Sequence, residues 1–267
     1  MFTSRTKLNT PHINVMAAAA MKAAKSLIRD FNEVEHLQVS KKGPGDFVTE
    51  ADHRAERILR NELEKARPDY GFLLEESGEV PGKDRRHRWV IDPLDGTNNF
   101  LHGVPHFAIS IGLQQDNEII AGVVYDPVKD EMFCAEKGKG AYLNERRIRI
   151  SARKHLHEAL IAVSSFLRGN MDPALYQKML LKLRGQVAGL REFGAAALDL
   201  CYIAAGRFDG YMAPCLQPWD VAAGWIILKE AGGYISKMDG KTMDMIPDIS
   251  VLASTDLLYD PLRRAVL

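Results

Sequence analysis

The chain has 267 residues, 46% of them hydrophobic, which is enough to bury a large core as one domain or as two intimate halves. Lys plus Arg and Asp plus Glu number 35 each, so the formal net charge is zero and argues against a broad electrostatic grip on nucleic acid; only a local basic patch remains open. Three widely spaced cysteines, Cys134, Cys201 and Cys215, without a C-x-x-C pair, read as buried thiols of a reducing compartment rather than a disulfide frame or a zinc site.

No apolar run approaches the roughly 18 residues needed to span a bilayer. The polar stretch Met1 to Thr10 lacks the apolar core of a signal peptide. The expectation is a cytoplasmic protein with no membrane partner.

Alanine-rich helical spacing predicts a first helix over Val15 to Phe31. The stretch Lys41 to Asp46, K-K-G-P-G-D, reads as a loop. A second helix is expected from Thr49, a capping residue, to Ala66, because Pro68 lies just beyond. Gly71 to Glu75 reads as a short strand, Ser77 to Arg86 as a polar loop, and Trp89 to Ile91 as a strand stopped by Pro93. His106 to Gln114 and Glu118 to Tyr125 form a hairpin around Asp116-Asn117. Glu131 to Ala135 and Arg146 to Ser151 extend that antiparallel region.

From about residue 152 the rhythm changes. Strands at Leu160 to Ser164, Phe208 to Ala213, Gly233 to Lys237 and Ser250 to Ala253 alternate with helices, clearest at Ala195 to Ala205 and Val221 to Ala231. Strands followed by helices indicate a layered α/β arrangement. With no repeat or long linker, residues 1–267 read as one domain: a meander-rich half to about 151, packed on an α/β half from about 152.

The chemistry concentrates in W-V-I-D-P-L-D-G-T-N-N-F, Trp89 to Phe100. Asp92 and Asp95 lie three residues apart at the end of an apolar run, and the turn after Pro93 lets them converge. Gly96 permits close backbone approach to a ligand. Two carboxylates with a free backbone carbonyl make an oxygen-only site suited to Mg²⁺ or Mn²⁺. The same stretch also fits an acidic turn between a strand and a helix.

Three further acidic features invite equally plain explanations. Glu75 and Glu76 end a short strand, where alternation should turn them apart. Asp52, in D-F-V-T-E-A-D, lies in the first turn of a helix, where the dipole favours an acid. Asp220, in P-W-D-V-A-A-G, begins another helix, as a capping residue would.

Taken in order, D-x-V-T-x-x-D, E-E-S, W-V-I-D-P-L-D-G-T and P-W-D-x-A-A-G form a specific combination. The chain resembles the inositol monophosphatase family of Mg²⁺-dependent, lithium-sensitive phosphatases from about Met16 to Leu258. V-V-Y-D-P (Val123 to Pro127), K-G-K-G-A-Y-L-N (Lys137 to Asn144), G-A-A-A-L-D-L (Gly194 to Leu200) and E-A-G-G (Glu230 to Gly233) belong to the same likeness.

The resemblance implies an α+β, layered α/β fold: the five-layer αβαβα sandwich of the inositol monophosphatase and fructose-1,6-bisphosphatase type, in a homodimer. It implies two or three Mg²⁺ ions per site, with Mn²⁺ as a substitute. Glu75, Asp92 and the Leu94 carbonyl match the ligands of the first ion; Asp92, Asp95 and Asp220 match those of the second. Glu76 matches the position that helps hold a third ion through water. Asp52 and Thr97 match the pair that orients the attacking water.

Contacts to the phosphorylated substrate are implied for Glu75, Leu94, Asp95 and Asp220, and for Gly96 and Thr97, whose N–H groups at a helix start would receive phosphate oxygens. Arg191, Gly194 and Ala196 match further substrate positions, and Arg191 and Ser165 match places where family members meet substrate or the dimer neighbour. His102 and His106 flank the acidic loop and read as structural or rim residues, since oxygen-preferring ions rarely recruit imidazole. The basic run Lys83 to Arg88 reads as a solvated loop, with RNA or a partner as the alternative. Lys41 and Lys42 precede Asp52 on a loop that Gly43 and Gly45 would let close over the acids.

One departure bears on substrate. Family members that bind inositol phosphates carry an acid shortly before P-W-D, and here Ala213 stands there beside Pro214. The expected reaction is hydrolysis of a small polyol or sugar phosphate, inositol 1-phosphate first. The alternatives are fructose 1,6-bisphosphate, histidinol phosphate or a 3′-phosphonucleotide, or an RNA-processing or transcription-complex role, which the neutral composition does not itself support.

Overall fold

The computed structural model describes residues 7–33, 39–43, 46–164, 171–243, 245 and 247–266, with the backbone alone for 39–43 and 46–48. Helix α1 (Pro11–Asn32) starts four residues earlier than its alanine pattern suggests, because Thr10 caps it and Pro11 takes the first helical position, where no N–H is needed. Strands β1 (Val39–Gly43) and β2 (Asp46–Thr49) pair antiparallel, so described residues of the stretch Lys41 to Asp46 expected as a loop lie in strands. Helix α2 (Glu50–Ala66) follows directly, with Thr49 as its cap as expected.

The larger sheet contains β3 (Tyr70–Leu74), β4 (Gly78–Val80), β5 (Asp84–Asp95), β6 (Ala108–Gln115), β7 (Glu118–Asp126), β8 (Glu131–Glu136), β9 (Ala141–Leu143) and β10 (Arg146–Ile148). Its spatial order is β10-β9-β8-β7-β6-β5-β3-β4, antiparallel except where β3 and β5 run together. A short helix α3 (Thr97–Leu101) follows β5. The second sheet takes β11 (Leu160–Val163), β12 (Gly189–Arg191), β13 (Gly210–Leu216), β14 (Gly233–Ser236) and β15 (Ile249–Thr255), in the order β12-β11-β13-β15-β14. Helices α4 (Pro173–Arg184), α5 (Ala196–Ala204), α6 (Pro218–Glu230) and α7 (Asp256–Val266) complete the described α-helices.

Strand alternation sorts these elements into five layers. Trp89, Ile91, Ile109, Ile111 and Val123 face α1 and α2, with Ile13, Met16, Leu27, Leu59 and Leu63 opposite them. Val90, Ala108, Val124 and Phe133 face the other way, onto α5 and α6. The same two helices meet Tyr211, Ala213, Val251 and Ala253 of the second sheet. That sheet turns Ile161, Val163, Met212 and Leu252 outward onto α4 and α7. The result is the αβαβα sandwich the resemblance implies.

Two prolines do not end their strands. β5 runs through Pro93 to Asp95, and β13 through Pro214 to Leu216. Each crosses the proline at a register shift, between Asp92 and Asp95 in one strand and between Ala213 and Leu216 in the other. A bulge leaves ladder positions unpaired, so the missing N–H costs nothing there. The run Lys83 to Arg88 is likewise no free loop: from Asp84 it is β5, and Arg86 pairs with Asp116, Arg88 with Glu79, and His87 with Asp84.

Candidate active site

The bulge in β5 builds the site. Asp92 pairs with Ser110 and Asp95 with Ala108, so three steps along β5 match two along β6 and the extra residue re-aims the acids. The Leu94 N–H donates to Asp92 Oδ1 at 2.8 Å, folding the turn onto its own carboxyl. Gly96 adopts φ 92°, and a Cβ there would lie 3.1 Å from the carbonyl oxygen of His106, so glycine alone fits this corner.

Both acids are buried, and burial pushes both carboxyls well above the usual carboxylate range. For Asp92 the next causes are the charges of Glu75, Asp95 and Asp220, together with a hydrogen bond to Glu75 that favours the protonated form. For Asp95 the next cause is Asp220, opposed by backbone N–H groups of α5. Glu75, Asp92, Asp95 and Asp220 thus share one electrostatic neighbourhood. Among the described residues no group of three or more His, Cys, Asp or Glu side chains is already arranged to hold a metal ion. What is present is a set of hard oxygen donors whose mutual repulsion positive charge would relieve, and that donor chemistry fits Mg²⁺ or Mn²⁺.

Asp52 joins from α2. Its Oδ2 accepts from the Thr49 N–H at 2.8 Å while the Thr49 hydroxyl accepts from the Asp52 N–H, a reciprocal capping box. Its other oxygen lies 3.2 Å from the Thr97 hydroxyl, which is also 3.0 Å from the Leu94 carbonyl oxygen. One hydroxyl proton serves one acceptor at a time, so Thr97 links Asp52 to the acidic turn. Burial raises the Asp52 carboxyl, against the hydrogen bonds from Thr49.

Asp95 reaches across to α5. Its oxygens accept from the N–H of Ala196 at 3.1 Å and of Ala197 at 2.9 Å, capping a helix whose own N-cap, Ala195, has no side chain to do so. Gly194, at φ 72°, makes the turn into that helix beside Asn99, whose amide donates to the carbonyl oxygens of His106 at 2.8 Å and Phe193 at 2.6 Å. Gly194 and Ala196 therefore come to the acidic turn, although the Ala196 N–H is already taken. Asp220 stands in the first turn of α6 and accepts from the Gln217 N–H at 2.7 Å.

Arg191 is exposed on β12 with Nη1 on the carbonyl of Leu190. His102 is exposed at the end of α3, and His106 is buried. Glu76 follows β3, and its N–H donates to Glu56. Ser165, Gly45 and the side chains of Lys41 and Lys42 lie outside the described residues. Ala213 is fully buried between α5, α6 and the second sheet. Sequence reasoning missed Ala197, Asn99 and Asp199. Asp199 is a buried carboxyl in α5, pushed well up by burial and then by Asp95 and Glu192, and its Oδ1 has no hydrogen-bond partner. Ala197 and Asn99 meet partners more than 90 residues away, a distance at which no local pattern signals a contact.

A model of the inositol monophosphatase family matches residues 8–266. The inositol-1-monophosphatase of Mesorhizobium japonicum is 49% identical over 254 residues, covering 95% of each chain. The Nus factor SuhB of Pseudomonas aeruginosa is 43% identical over 234 residues, 86% of each. The crystal structure of extragenic suppressor protein suhB from Bartonella henselae matches with a TM-score of 0.92 at 48% identity, covering 96% of this chain and 98% of that one. Five alternating layers around a buried acidic turn, together with these relatives, define a phosphatase. The chain belongs to the inositol monophosphatase family.

Proposed function

We propose that the chain is a Mg²⁺-dependent phosphomonoesterase that hydrolyses a small polyol phosphate, inositol 1-phosphate before others. The observation that carries this reading is the β5 bulge itself, where Asp92 and Asp95 are buried and the charges of Glu75 and Asp220 push their carboxyls up. Acids that repel one another in this way, two of them buried, suit a divalent cation better than they suit solvent. In the proposed arrangement Glu75, Asp92 and the Leu94 carbonyl hold one Mg²⁺; Asp92, Asp95 and Asp220 hold a second; Glu76 supports a third through water. Bound Mg²⁺ supplies positive charge for the transferring phosphoryl group and lowers the pKa of a water.

The chain's own groups do the rest. Asp52 and Thr97, already linked, orient the attacking water. The N–H groups of Gly96 and Thr97 receive phosphate oxygens, and Gly194, Ala196 and Arg191 contribute to the substrate side. Phosphate monoester hydrolysis has one of the highest uncatalysed barriers known, so these contributions act where the barrier demands charge stabilisation. The proposal includes a cytoplasmic homodimer. Among the described residues no helix is long and apolar enough to cross a membrane.

Phosphate release is to be measured over inositol 1-phosphate, fructose 1,6-bisphosphate, histidinol phosphate and a 3′-phosphonucleotide, with Mg²⁺ and with excess EDTA. Release from inositol 1-phosphate that needs Mg²⁺, and that lithium inhibits in the millimolar range, is the expected result. Full activity in EDTA would overturn the reading. A transcription-complex role is the second reading, favoured by relatives named Nus factor SuhB. Retention of that role by a phosphatase-dead Asp95→Asn chain would show that a surface, not the acidic turn, carries it.

A further inference from the structure

Residues 75–77 form the three-residue turn between β3 and β4, beyond the last paired residues Leu74 and Gly78. Such a turn would flex if nothing held it. It is gripped from two sides. The Glu75 N–H donates to the carbonyl of Ile91 at 3.2 Å, immediately before Asp92 in β5. The next two residues turn to α2: the Glu76 N–H donates to Glu56 Oε2 at 2.9 Å, and the Ser77 hydroxyl donates to Glu56 Oε1. Glu56 is 3% exposed, so this carboxyl is spent on the turn rather than on solvent.

Glu56 lies four residues after Asp52, which places both on one face of α2. One helix face thereby holds Thr97 through Asp52 and the Glu75–Ser77 turn through Glu56. We propose that Glu56 is a positioning residue that fixes the 75–77 turn so that Glu75 is aimed at Asp92, and that it thereby sets the affinity of the acidic centre for Mg²⁺. This rests on the proposed metal reading of that centre. The physical reason is entropic: a carboxylate on a turn already ordered loses less freedom on meeting a cation than one on a free turn. Partners that orient metal ligands in this way typically govern affinity by about 10- to 100-fold.

The test uses the full chain and Mg²⁺ alone, read by calorimetric titration and by the rise in melting temperature that Mg²⁺ produces. Glu56→Ala should weaken Mg²⁺ binding by about tenfold or more, with kcat at saturating Mg²⁺ changing little. Glu56→Gln should restore most of the affinity, because its Oε1 still accepts from the Glu76 N–H and its amide can donate to the Ser77 oxygen. Glu56→Ala made on a Glu75→Ala background should add almost nothing, since Glu56 acts through Glu75; full additivity overturns the proposal. If Glu56→Ala does not fold, Ser77→Ala removes one of the two bonds without touching α2, and unchanged Mg²⁺ affinity there overturns the proposal. A wild-type chain that binds no Mg²⁺ removes the metal reading itself. Normal wild-type binding with unchanged affinity in Glu56→Ala removes only the role of Glu56.

Discussion

Asp95 Oδ2 accepts a hydrogen bond from the N–H of Ala197 at 2.9 Å, so the acid that ends β5 also caps α5 from across the molecule. Gly194 and Ala196, placed on the substrate side in the proposed function, are thereby tied to the acidic turn, and the turn to the helix layer between the two sheets. The arrangement places partial positive charge from a helix start beside an acid surrounded by other acids.

Asp95→Asn and Asp220→Asn each remove an anionic group while retaining its size and one acceptor oxygen, so Asp95→Asn keeps one of the two bonds from the α5 N–H groups. Turnover should fall at least about a hundredfold in each, since metal ions supply several kcal/mol of transition-state stabilisation. The far-ultraviolet circular dichroism should be unchanged, because the Asn oxygen still accepts one α5 N–H at position 95 and the Gln217 N–H at position 220. Near-normal turnover of either variant at limiting Mg²⁺ would remove that residue from the proposed second metal position.

Gly112 and Gly122 face each other across β6 and β7 where α6 crosses the sheet. A Cβ on Gly122 would lie 2.6 Å from Ile226 Cγ2 and 2.8 Å from the Ala223 carbonyl oxygen; one on Gly112 would lie 2.9 Å from Ala222 Cβ. The close approach seats α6, and Asp220 is in its first turn. Gly122→Ala should cost about 1–3 kcal/mol by overpacking against backbone, read by denaturant unfolding, and should raise the Mg²⁺ concentration needed for half-maximal activity. An unfolding midpoint equal to wild type would mean α6 is free to move away.

His106 gives the fold a pH dependence. Its ring packs against Phe193 and Tyr202, Nε2 has no hydrogen-bond partner, and Nδ1 is 3.5 Å from Lys129 Nζ. Burial, reinforced by Lys129 and opposed by Asp126, pushes it down from 6.5 to about 4. Between those values the unfolded chain binds a proton that the folded chain does not, so stability falls as pH drops through this window and levels off on either side. His106→Phe keeps the aromatic packing and removes the proton site. The variant should lose less unfolding free energy than wild type on moving from about pH 7.5 to about pH 4.5. An identical loss would place the acid sensitivity elsewhere.

Selectivity should be broad. On the family resemblance, Ala213 stands where inositol-binding members carry an acid for sugar hydroxyls, so kcat/KM for glycerol 2-phosphate is expected within about tenfold to a hundredfold of that for inositol 1-phosphate. Restoring an acid there is no simple remedy. Ala213 has no exposed surface, and Ala213→Glu would bury a carboxyl among α5, α6 and the second sheet, at several kcal/mol if unpaired. A lowered melting temperature is the expected result. A stable variant with a sharpened preference for inositol 1-phosphate would show that position 213 opens to the substrate.

The sequence by itself determined what local pattern can encode. Helical periodicity with a Thr49 cap located α2, alternation located the hairpin of β6 and β7, and the order of the acidic motifs identified the family and its layered fold. Tertiary structure decided whatever depends on register and on distant partners. Pro93 reads locally as a strand stop; the partner strand β6 makes it the interior of a bulge. Lys83 to Arg88 reads as a solvated basic loop, and β5 with its partners Asp116, Glu79 and Asp84 makes most of it a paired strand. α4 and α7 carry apolar faces that acquire meaning only against the second sheet. The cap that Asp95 provides to α5, and the hold of Glu56 on the 75–77 turn, join groups about 100 and about 20 residues apart. Short-range steric and hydrogen-bonding preferences are written in neighbouring residues, whereas the depth of a helix on a sheet and the partner of a buried carboxyl are set by packing of the whole chain.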